Sequence, residues 1–527
     1  MTERVGSLQR LQEFDLVGRL RDNDTIRSAN DLRVLLAAAL EESRSYSVGT
    51  ASLTTSHRDA LRTNQDALER QIELGRSFLA PVRRLPVEIL AEIFEAACLD
   101  GFSGLLPYES PVVLNVASVC FVWRTVAIET PQLWARLLKT AEVTQPLDHD
   151  GTHRFYHGFT KRFLEGMLDR TQSIPLELGS IDNVKTLELF APALLGRCHE
   201  CDFVEPETDS DLEHFLKAMP SLCSSRMGLA NTSADMDMSS LVPNLRRVSI
   251  SELHHNIILP TQLTSLELYY SDYGALANIL SHTSSLQHLA ISYIKMDGIQ
   301  IEAEQPSSSI RLDHLRSLYL RLLRLRHYGT AFDHFLNNAV TPNLSTLSLR
   351  SKSHPQDPIP ASIFTFLKHC RASVKTLLLE NVYYPMSTFT SILRSLSSLN
   401  VLGYSCDDSS SAIESTDFGD IVHMLDVRPS RSSGGNADES LLPQLTQLDI
   451  TLPGSSFTDQ ELVDMISSRW RSEMPVVATL QSVKVVIRNR RFDDTLWDTL
   501  HHKQEKGLRI GIRDQEGDVR TRVESMQ

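Results

Sequence analysis

The chain has 527 residues, of which 41% are hydrophobic and 22% are charged, and these fractions exclude a wholly disordered or fibrous protein. Its 66 acidic residues exceed its 52 basic residues, so the net charge of -14 disfavours a nucleic-acid-binding protein. A length of 527 residues fits either several domains or one long repetitive array.

The N-terminus and the cysteines indicate where the chain resides. The longest early apolar stretch, from Val34 to Leu40, is far shorter than the roughly 18 residues that span a bilayer. The seven cysteines are scattered and do not form the dense, even framework of a small oxidised domain. We therefore expect a protein of the cytoplasm, the nucleus or both, with no membrane and no nucleic acid among its partners.

A helix is expected immediately before residue 83. Residues 1–55 are expected to form a tail that is partly helical or disordered, and residues 56–82 a helix that leads into the next segment. Within this helix, alternating steps of four and three residues relate Leu61, Gln65, Leu68, Ile72, Gly75 and Leu79. The spacing has two interpretations: a short helix that packs on the following segment, or a dimerisation zipper.

Residues 83–140 have the pattern of a small helical domain. Pro86 suits a first helical position and Glu88 suits the first turn, so a helix is expected to begin there. Its apolar side chains cover more than one stripe, which predicts burial on two sides. These side chains are Ile89, Leu90, Ile93, Phe94 and Ala97.

A second helix is expected after Ser110-Pro111, and a final turn carrying Trp134 after Thr130-Pro131. The second helix has an apolar face formed by Val113, Val116, Ala117, Cys120, Trp123 and Ala127. Three helices of roughly 50 residues in all form a small core, so we expect part of this apolar surface to contact another protein. Residues 141–173 are expected to form a connecting helical segment.

The second half of the chain repeats the pattern apolar-x-x-apolar-x-apolar. The last three positions alternate, so both apolar side chains point to one face of a short strand, the interior. The matches are Leu245/Val248/Ile250, Leu263/Leu266/Leu268, Leu286/Leu289/Ile291, Leu315/Leu318/Leu320, Leu344/Leu347/Leu349, Val374/Leu377/Leu379, Leu445/Leu448/Ile450, Leu480/Val483/Val485 and a degenerate copy at Leu399/Leu402.

Helical patterns separate these predicted strands. They run from Ala275 to His282, Phe332 to Ala339, Ile363 to Cys370 and Thr388 to Leu396. A strand and a helix that cannot bury their apolar faces alone gain a core by stacking on neighbouring units. We therefore predict a repeat array over residues 174–487, with an early strand at 184–189, insertions near 205–240 and 405–440, and a C-terminal cap or tail over 488–527.

Catalytic and cofactor motifs are missing from the sequence. It contains no phosphate-binding GxxxxGK[ST] or GxGxxG, no HExxH and no GxSxG. Cys198 and Cys201 form half of a zinc-binding pattern, with His214 and Cys223 as conceivable further ligands, yet no second CxxC or HxxxH completes it. We therefore expect a non-enzymatic protein with no catalytic residues, no cofactor and no metal.

Two clusters of basic residues occur in this acidic chain. They are Arg311, Arg316, Arg321, Arg324, Arg326 and His327 in the first cluster and Arg488, Arg490 and Arg491 in the second. Each cluster is either a solvated face or a docking site for an acidic or phosphorylated segment, because guanidinium groups bind such groups in bidentate fashion.

Residues 83–140 resemble an F-box. The resemblance rests on Leu85-Pro86-x-Glu88-Ile89-Leu90-x-x-Ile93-Phe94, Val119-Cys120-x-x-Trp123-Arg124-x-x-Ala127 and Trp134, with an insertion from Asp100 to Ser110. The repeats resemble leucine-rich repeats of the irregular, helix-containing kind, and the combination is similar to a fungal group of F-box-like proteins. The resemblance implies an α/β solenoid, a leucine-rich repeat horseshoe, preceded by a small all-α F-box-like domain.

The resemblance also implies two binding surfaces. The F-box-like helices would bind the Skp-type adaptor of a cullin-RING ubiquitin ligase through Leu85, Pro86, Ile89, Leu90, Ile93, Phe94, Val119, Cys120 and Trp123. In a horseshoe, side chains between and beside the strand leucines face the concave, substrate-binding side. Those side chains are Arg247, Glu267, Tyr269, His288, Tyr319, Arg321, Arg350, Glu380, Asp449 and Lys484.

The leading hypothesis is a substrate-recognition subunit of an SCF-type cullin-RING ubiquitin ligase. Its partners would be the adaptor, the cullin scaffold and a protein substrate that the sequence does not identify, and catalysis would belong to those partners. The alternative is a leucine-rich repeat scaffold that binds proteins independently of ubiquitin. In that case the F-box-like helices would serve as a solenoid cap.

Overall fold

The structure of the protein is a computed structural model. It describes residues 7–13, 15–16, 29–48, 55–100, 112–140, 161–181, 195–204, 208–229, 236–253, 257–295, 309–322, 325–351, 362–382, 386–405, 420–427, 441–453, 457–470, 477–488, 490–514 and 519–520. The chain divides into two compact units, Met1–Ile181 and Asp182–Gln527. Within the described ranges, no helix combines the length and the apolar character needed to cross a bilayer.

The described part of the first unit contains helices followed by one strand. In chain order, its elements are α1 (Ser7–Glu13), α2 (Ala29–Val48), α3 (Thr55–Leu79), α4 (Val87–Asp100), α5 (Val112–Val119), α6 (Phe121–Glu129), α7 (Pro131–Thr140), α8 (Lys161–Arg170) and β1 (Leu176–Ile181). A short 3-10 helix, Pro81–Arg84, leads from α3 to α4. Glu88 lies in the first turn of α4, as the sequence predicts, where a carboxylate favours the helix dipole. Pro86, expected at the first helical position, instead lies immediately before the helix.

Helices α1, α2 and α3 share a hydrophobic core. Leu11, Leu36, Leu68 and Ile72 are buried in it, and Gly75 of α3 lies against Leu36 of α2. Part of the apolar stripe of α3 therefore packs on α1 and α2, whereas the first interpretation placed this contact on the following segment. Residues 1–55, expected to be at most partly ordered, contain α1 and α2 of this core.

Gly75 and Gly166 provide a matched pair of helical glycines for a stability test. A Cβ at Gly75 would lie 2.6 Å from Cδ2 and 3.2 Å from Cγ of the buried Leu36, whereas a Cβ at Gly166 meets nothing within 4 Å. We expect Gly75→Ala to destabilise the unit by about 1–2 kcal/mol because Leu36 must shift. Gly166→Ala should stabilise it by up to about 1 kcal/mol. Urea unfolding of both variants tests this, and equal effects would contradict it.

The second unit alternates strands and helices. It comprises β2 (Cys198–Val204), α9 (Asp209–Ala218), β3 (Ser224–Met227), β4 (Met236–Asp237), α10 (Met238–Leu241), β5 (Arg247–Leu253), β6 (Ile257–Ile258), β7 (Ser265–Asp272), α11 (Tyr273–His282), β8 (His288–Ile291), β9 (Ile294–Lys295), β10 (Ile310–Arg311), β11 (Ser317–Leu322), α12 (Leu325–Asn338), β12 (Ala339–Val340), β13 (Thr346–Ser351), α13 (Ser362–Cys370), β14 (Thr376–Glu380), α14 (Met386–Ser395), β15 (Val401–Ser405), α15 (Asp420–Leu425), β16 (Gln447–Pro453), α16 (Asp459–Arg469), β17 (Ser482–Arg488), α17 (Asp494–Glu505), β18 (Arg509–Arg513) and β19 (Val519–Arg520).

One large sheet organises this unit. Its strands follow chain order as β2-β3-β5-β7-β8-β11-β13-β14-β15-β16-β17-β18, all parallel, and β19 pairs antiparallel with β18. The pairing is in register, so Leu266, Leu289, Leu318, Leu347 and Leu377 of successive strands lie side by side. All five are at most 2% exposed, so they form one buried row on the inner face of the sheet.

A backbone ladder fixes the start of each strand. The carbonyl oxygen of Arg246 accepts hydrogen bonds from the N–H groups of Thr264 and Ser265, at 2.8 and 3.0 Å. The carbonyl of Arg316 accepts the same pair of bonds at the start of β13, and the carbonyl of Lys375 accepts the same pair at the start of β15. These bonds satisfy the turn backbone between units and hold neighbouring strands in register.

All nine repeat matches lie at strands of the large sheet, the degenerate copy at Leu399/Leu402 being β15. The insertion expected near 205–240 needs correction, because it contains α9 and β3, and β3 pairs in register with β5. Its polar composition has a structural reason: Thr208 caps α9 by accepting from the Asp211 N–H. The strand expected at 184–189 lies outside the described residues, and so does most of 405–440, apart from α15.

The second unit is thus a mixed α/β assembly with a large parallel sheet and helices between many of its strands. Such an arrangement is compatible with a solenoid, in which each unit is covered by its neighbours. The segment 488–527, expected to be a cap or tail, contributes α17 and the last two strands of the sheet.

Candidate functional site

Exposed apolar side chains concentrate on α4, α5 and α6 of the first unit. Among the described residues, six of the ten exposed large hydrophobic side chains lie there. They are Val87 (53% exposed), Ile89 (40%), Ile93 (44%), Val119 (56%), Phe121 (62%) and Ile128 (39%), and we call them the apolar patch. The three helices contact one another, so the patch belongs to one small bundle. An exposed apolar surface of this kind commonly marks a protein interaction site.

Beneath the patch lies a closely packed interior. Leu90 is 2% and Phe94 1% exposed, and the Phe94 ring lies 5.0 Å from the ring of Trp123 on α6. Leu90 and Phe94, which the resemblance implies for adaptor binding, therefore support the bundle from inside. Of the other implied residues, Pro86, Ile89, Ile93 and Val119 are exposed, while Leu85, Cys120 and Trp123 are partly buried.

Side-chain hydrogen bonds to backbone carbonyls hold the helices of the bundle together. Arg124 of α6 donates through Nε to the carbonyl of Ala117 in α5, at 3.0 Å. Trp134 of α7 is buried and donates through Nε1 to the carbonyl of Ala127, at 2.7 Å. Arg170 of α8 covers the Trp134 ring at 4.4 Å, a cation–π contact. These bonds join α6 to α5 and α7 to α6.

Sequence reasoning missed three members of the patch, namely Val87, Phe121 and Ile128. Val87 and Phe121 each begin a helix, directly after Pro86 and Cys120. First-turn side chains project where the helix has no preceding turn to cover them, which leaves apolar residues at these positions exposed. That positional signal was present in the sequence.

The ten side chains expected on a binding face all lie on the large sheet, on the opposite side from the buried leucines. Three rows follow from the strand register. Arg247 and His288 occupy the first row, Glu267, Tyr319, Asp449 and Lys484 the second, and Tyr269, Arg321, Arg350 and Glu380 the third. All are exposed or partly exposed, so the structure brings these predicted residues to one solvent-facing side.

Several charges on this face are neutralised across adjacent strands. Arg350 and Glu380 form an ion pair at 3.0 Å, and Lys484 and Asp449 form another at 3.3 Å. Both partners of each pair remain partly exposed, so each pair contributes at most about 1 kcal/mol to stability. A further pair joins Arg247 to a residue that the sequence did not single out, Glu200 of β2, at 3.6 Å.

Tyr269 forms the centre of a polar cluster on this face. Burial raises the pKa of its hydroxyl, and Glu267, which accepts a hydrogen bond from Tyr269, raises this pKa further. Arg226 of β3 and Arg321 of β11 act in the opposite direction on the same hydroxyl. The four side chains therefore share one electrostatic environment, and Tyr269 stays protonated at neutral pH.

Other candidate sites are occupied by structural contacts. Cys198 and Cys201 are buried in or beside β2, and Cys198 donates to the carbonyl of Glu200 at 3.3 Å. In the part of the chain that the structure describes, no three His, Cys, Asp or Glu side chains are placed to hold a metal. Arg490 bonds Asp459, and Arg311 bonds Asp313 at 2.8 Å, so part of each basic cluster is engaged within the chain.

Comparisons with known proteins leave the family open. No family model matches the chain, and no curated protein matches it. One similar solved structure is a protein of Bacteroides fragilis, 14% identical, covering 57% of this chain and 67% of its own, with a TM-score of 0.26. Similarity at that level carries no argument about fold or function.

Proposed function

We propose that this protein is a substrate-recognition subunit of an SCF-type cullin-RING ubiquitin ligase. Its F-box-like helices, α4 to α6, bind the Skp-type adaptor, and its leucine-rich repeats hold a protein substrate. The chain itself performs no catalysis in this proposal, since ubiquitin transfer belongs to the partner subunits. In this proposal the protein acts in the cytoplasm or nucleus, and its partners are proteins alone.

The observation that carries the proposal is the apolar patch. Ile89, Ile93 and Val119 belong both to the patch and to the residues that the F-box resemblance implies for adaptor binding. Fully burying an aliphatic or aromatic side chain of this size contributes about 1.5–3 kcal/mol, and roughly half of each is still exposed here. Covering the six patch residues therefore supplies about 5–8 kcal/mol before the costs of association, a substantial part of what binding requires.

The solvent-facing side of the sheet supports the second half of the proposal. In a leucine-rich repeat horseshoe this side is concave, and it presents a long row of side chains to a partner. Tyr269, Tyr319, Arg321 and Arg350 lie there, and tyrosine and arginine are enriched among the residues that dominate binding energy at protein interfaces.

A repeat scaffold independent of ubiquitin is the second candidate, and the buried Leu90 and Phe94 favour it. These two side chains give the α4–α6 bundle a buried interior, which a solenoid cap also has. A cap has no use for exposed Ile89 and Ile93, however, which is why the receptor is the stronger proposal.

Adaptor capture by the full chain tests the proposal. We expect purified Skp-type adaptor to bind the wild type and to bind Ile89→Glu/Ile93→Glu at least about 100-fold more weakly, because docking would bury two unpaired carboxylates. The matched control is Val34→Glu, which places the same charge at a 70% exposed apolar position of α2 in the same unit.

The control variant should bind the adaptor as the wild type does. Circular dichroism melting of all three proteins verifies that the substitutions leave the fold intact. Absence of adaptor binding by the wild type would overturn the receptor proposal and leave the scaffold. Equal loss in the Val34→Glu control would show that the patch is not the docking surface.

A further inference from the structure

Arg321 is a charged residue of the solvent-facing sheet that has no ion-pair partner among the described residues. It extends from β11 in the same row as Arg350 of β13, with their Cα atoms paired in register. Its Nε is cut off from solvent and has no hydrogen-bond partner. Among the described residues, no acidic side chain forms an ion pair with it, whereas Arg350 bonds Glu380 at 3.0 Å.

Leaving this guanidinium without an acceptor is unfavourable for the isolated chain. Like charges directly opposite on adjacent strands repel, and Glu380 compensates only one of the two arginines. A buried donor without a partner adds its own desolvation cost. A ligand that supplies an acceptor for this Nε would remove that cost.

The surroundings of Arg321 leave room for such an acceptor. In the middle row, Ala290 of β8 lies between Glu267 of β7 and Tyr319 of β11, so a methyl group separates two large side chains. Adjacent strands are about 4.8 Å apart, so the backbones of β7 and β11 at Glu267 and Tyr319 are about 10 Å apart. Tyr269 and Tyr319 border this space, and both offer a flat surface and a hydroxyl group.

Charge complementarity identifies the chemistry of the ligand. Arg226 and Arg321 act on Tyr269 with two positive charges against the one negative charge of Glu267, which leaves a net charge of +1, and the Arg350–Glu380 ion pair adds no net charge. The whole chain carries -14. A local positive site on a negative protein selects an anionic group, and a net +1 matches one carboxylate better than a doubly charged phosphoryl group.

We propose that Arg321, on the same solvent-facing sheet as Tyr269, binds a carboxylate side chain in an acidic segment of the protein substrate. This inference rests on the proposed use of the sheet as the substrate-binding face and names the substrate class. The guanidinium receives the carboxylate in bidentate geometry, and Tyr269 and Tyr319 cover the flanking residues. The first basic cluster of the sequence thus has one member in a binding site, while Arg311 is engaged by Asp313.

Peptide libraries provide the test. The probes are random dodecapeptides with a fixed central Glu, Gln or phosphoserine, captured by the immobilised full chain. We expect the Glu library to be enriched at least about fivefold over the Gln library on the wild type, and the enrichment to fall as salt is raised. Arg321→Met should abolish the enrichment, and Arg321→Lys should retain part of it because a lysine keeps the charge and loses the bidentate geometry.

Arg394→Met is the matched control. Arg394 is an exposed arginine in the last turn of α14 and lies outside the sheet, so its loss should leave the enrichment unchanged. Equal capture of the Glu and Gln libraries by the wild type, or enrichment that survives Arg321→Met, would overturn the proposal. Enrichment of the phosphoserine library about tenfold over the Glu library, dependent on Arg321, would overturn the carboxylate proposal and show that the site takes a phosphorylated substrate.

Adaptor capture separates this inference from the proposed function. Arg321→Met should bind the Skp-type adaptor as the wild type does, because the adaptor surface lies on α4 to α6. A chain that selects Glu peptides and binds no adaptor would keep the carboxylate site and remove the ligase role. A chain that binds the adaptor and shows no Glu preference would keep the ligase role and remove the carboxylate site.

Discussion

Replacing Arg469 with methionine is expected to lower the free energy of unfolding of the second unit by about 3–5 kcal/mol. Arg469 ends α16 and is fully buried, with 0% exposure. Its guanidinium donates to three backbone carbonyls, those of Leu425, Leu441 and Leu442, the last at 3.1 Å. Burial lowers the pKa of Arg469 to about 10, so the side chain stays charged at neutral pH.

The three carbonyls explain the size of this effect. Methionine is close to arginine in length and fills much of the space, so little of the loss comes from a cavity. Each carbonyl left buried without a donor costs about 1–3 kcal/mol, and the return of one buried charge to neutrality offsets part of that sum. Leu442 adds a further demand, because its φ of 53° is a strained conformation for a leucine and its carbonyl is fixed by Arg469.

Arg469 also connects the two sides of a long sequence insertion. Leu425 ends α15, and Leu441 and Leu442 lead into β16, so the bonds of Arg469 join the chain before residue 428 to the chain after residue 440. Strands β15 and β16 pair in register although their repeat matches are 46 residues apart. We infer that this clamp lets the sheet continue past the insertion.

Urea unfolding monitored by circular dichroism measures the effect. Arg469→Lys should recover only part of the loss, because one ammonium group cannot reach three carbonyls in the fixed geometry of a guanidinium. Arg394→Met, an exposed arginine of α14, is the matched control and should change the unfolding free energy by less than about 0.5 kcal/mol. A loss below about 1 kcal/mol for Arg469→Met would show that the carbonyls find other donors.

Much of the sheet could be predicted from the sequence because its inner side chains are aliphatic. Alternation of Leu, Ile and Val marks β5, β7 and the following main strands, and stacking makes each buried leucine meet another. The same reasoning failed at β3, where the inward side chains are Ser225 and Met227. A strand covered by neighbours on both sides in the sheet needs less apolar signal of its own, so its polar sequence resembled an insertion.

The candidate binding surfaces could be predicted as sets of residues, but the sequence did not predict which members of each set are exposed and which are buried. Ile89, Leu90, Ile93 and Phe94 are all apolar, and which of them faces outward depends on where α6 packs against α4. Arg469 is a similar case: a basic residue in the last turn of a helix suits the helix dipole and is ordinarily exposed. Its burial depends on contacts with residues about 27 to 44 positions away.

Two neighbouring residues of α4 should therefore differ in what their substitution by alanine affects: one change should mainly lower stability, and the other should mainly weaken adaptor binding. Phe94→Ala removes a side chain that is 1% exposed and whose ring centroid lies 5.0 Å from that of Trp123, so we expect a loss of about 3–5 kcal/mol in the stability of the first unit. Ile93→Ala removes a side chain that is 44% exposed, so its stability loss should stay below about 1 kcal/mol.

Adaptor binding should show the reverse order among folded molecules. Under conditions where both variants remain folded, Ile93→Ala should weaken adaptor capture about five- to tenfold, because it removes contact area at the interface itself. Phe94→Ala should bind more nearly like the wild type once the unfolded fraction is subtracted. Thermal melts and titration calorimetry on the same samples separate the two quantities. If Phe94→Ala kept full stability and lost adaptor binding, Phe94 would belong to the docking surface, and the bundle would have to rearrange on binding to expose it.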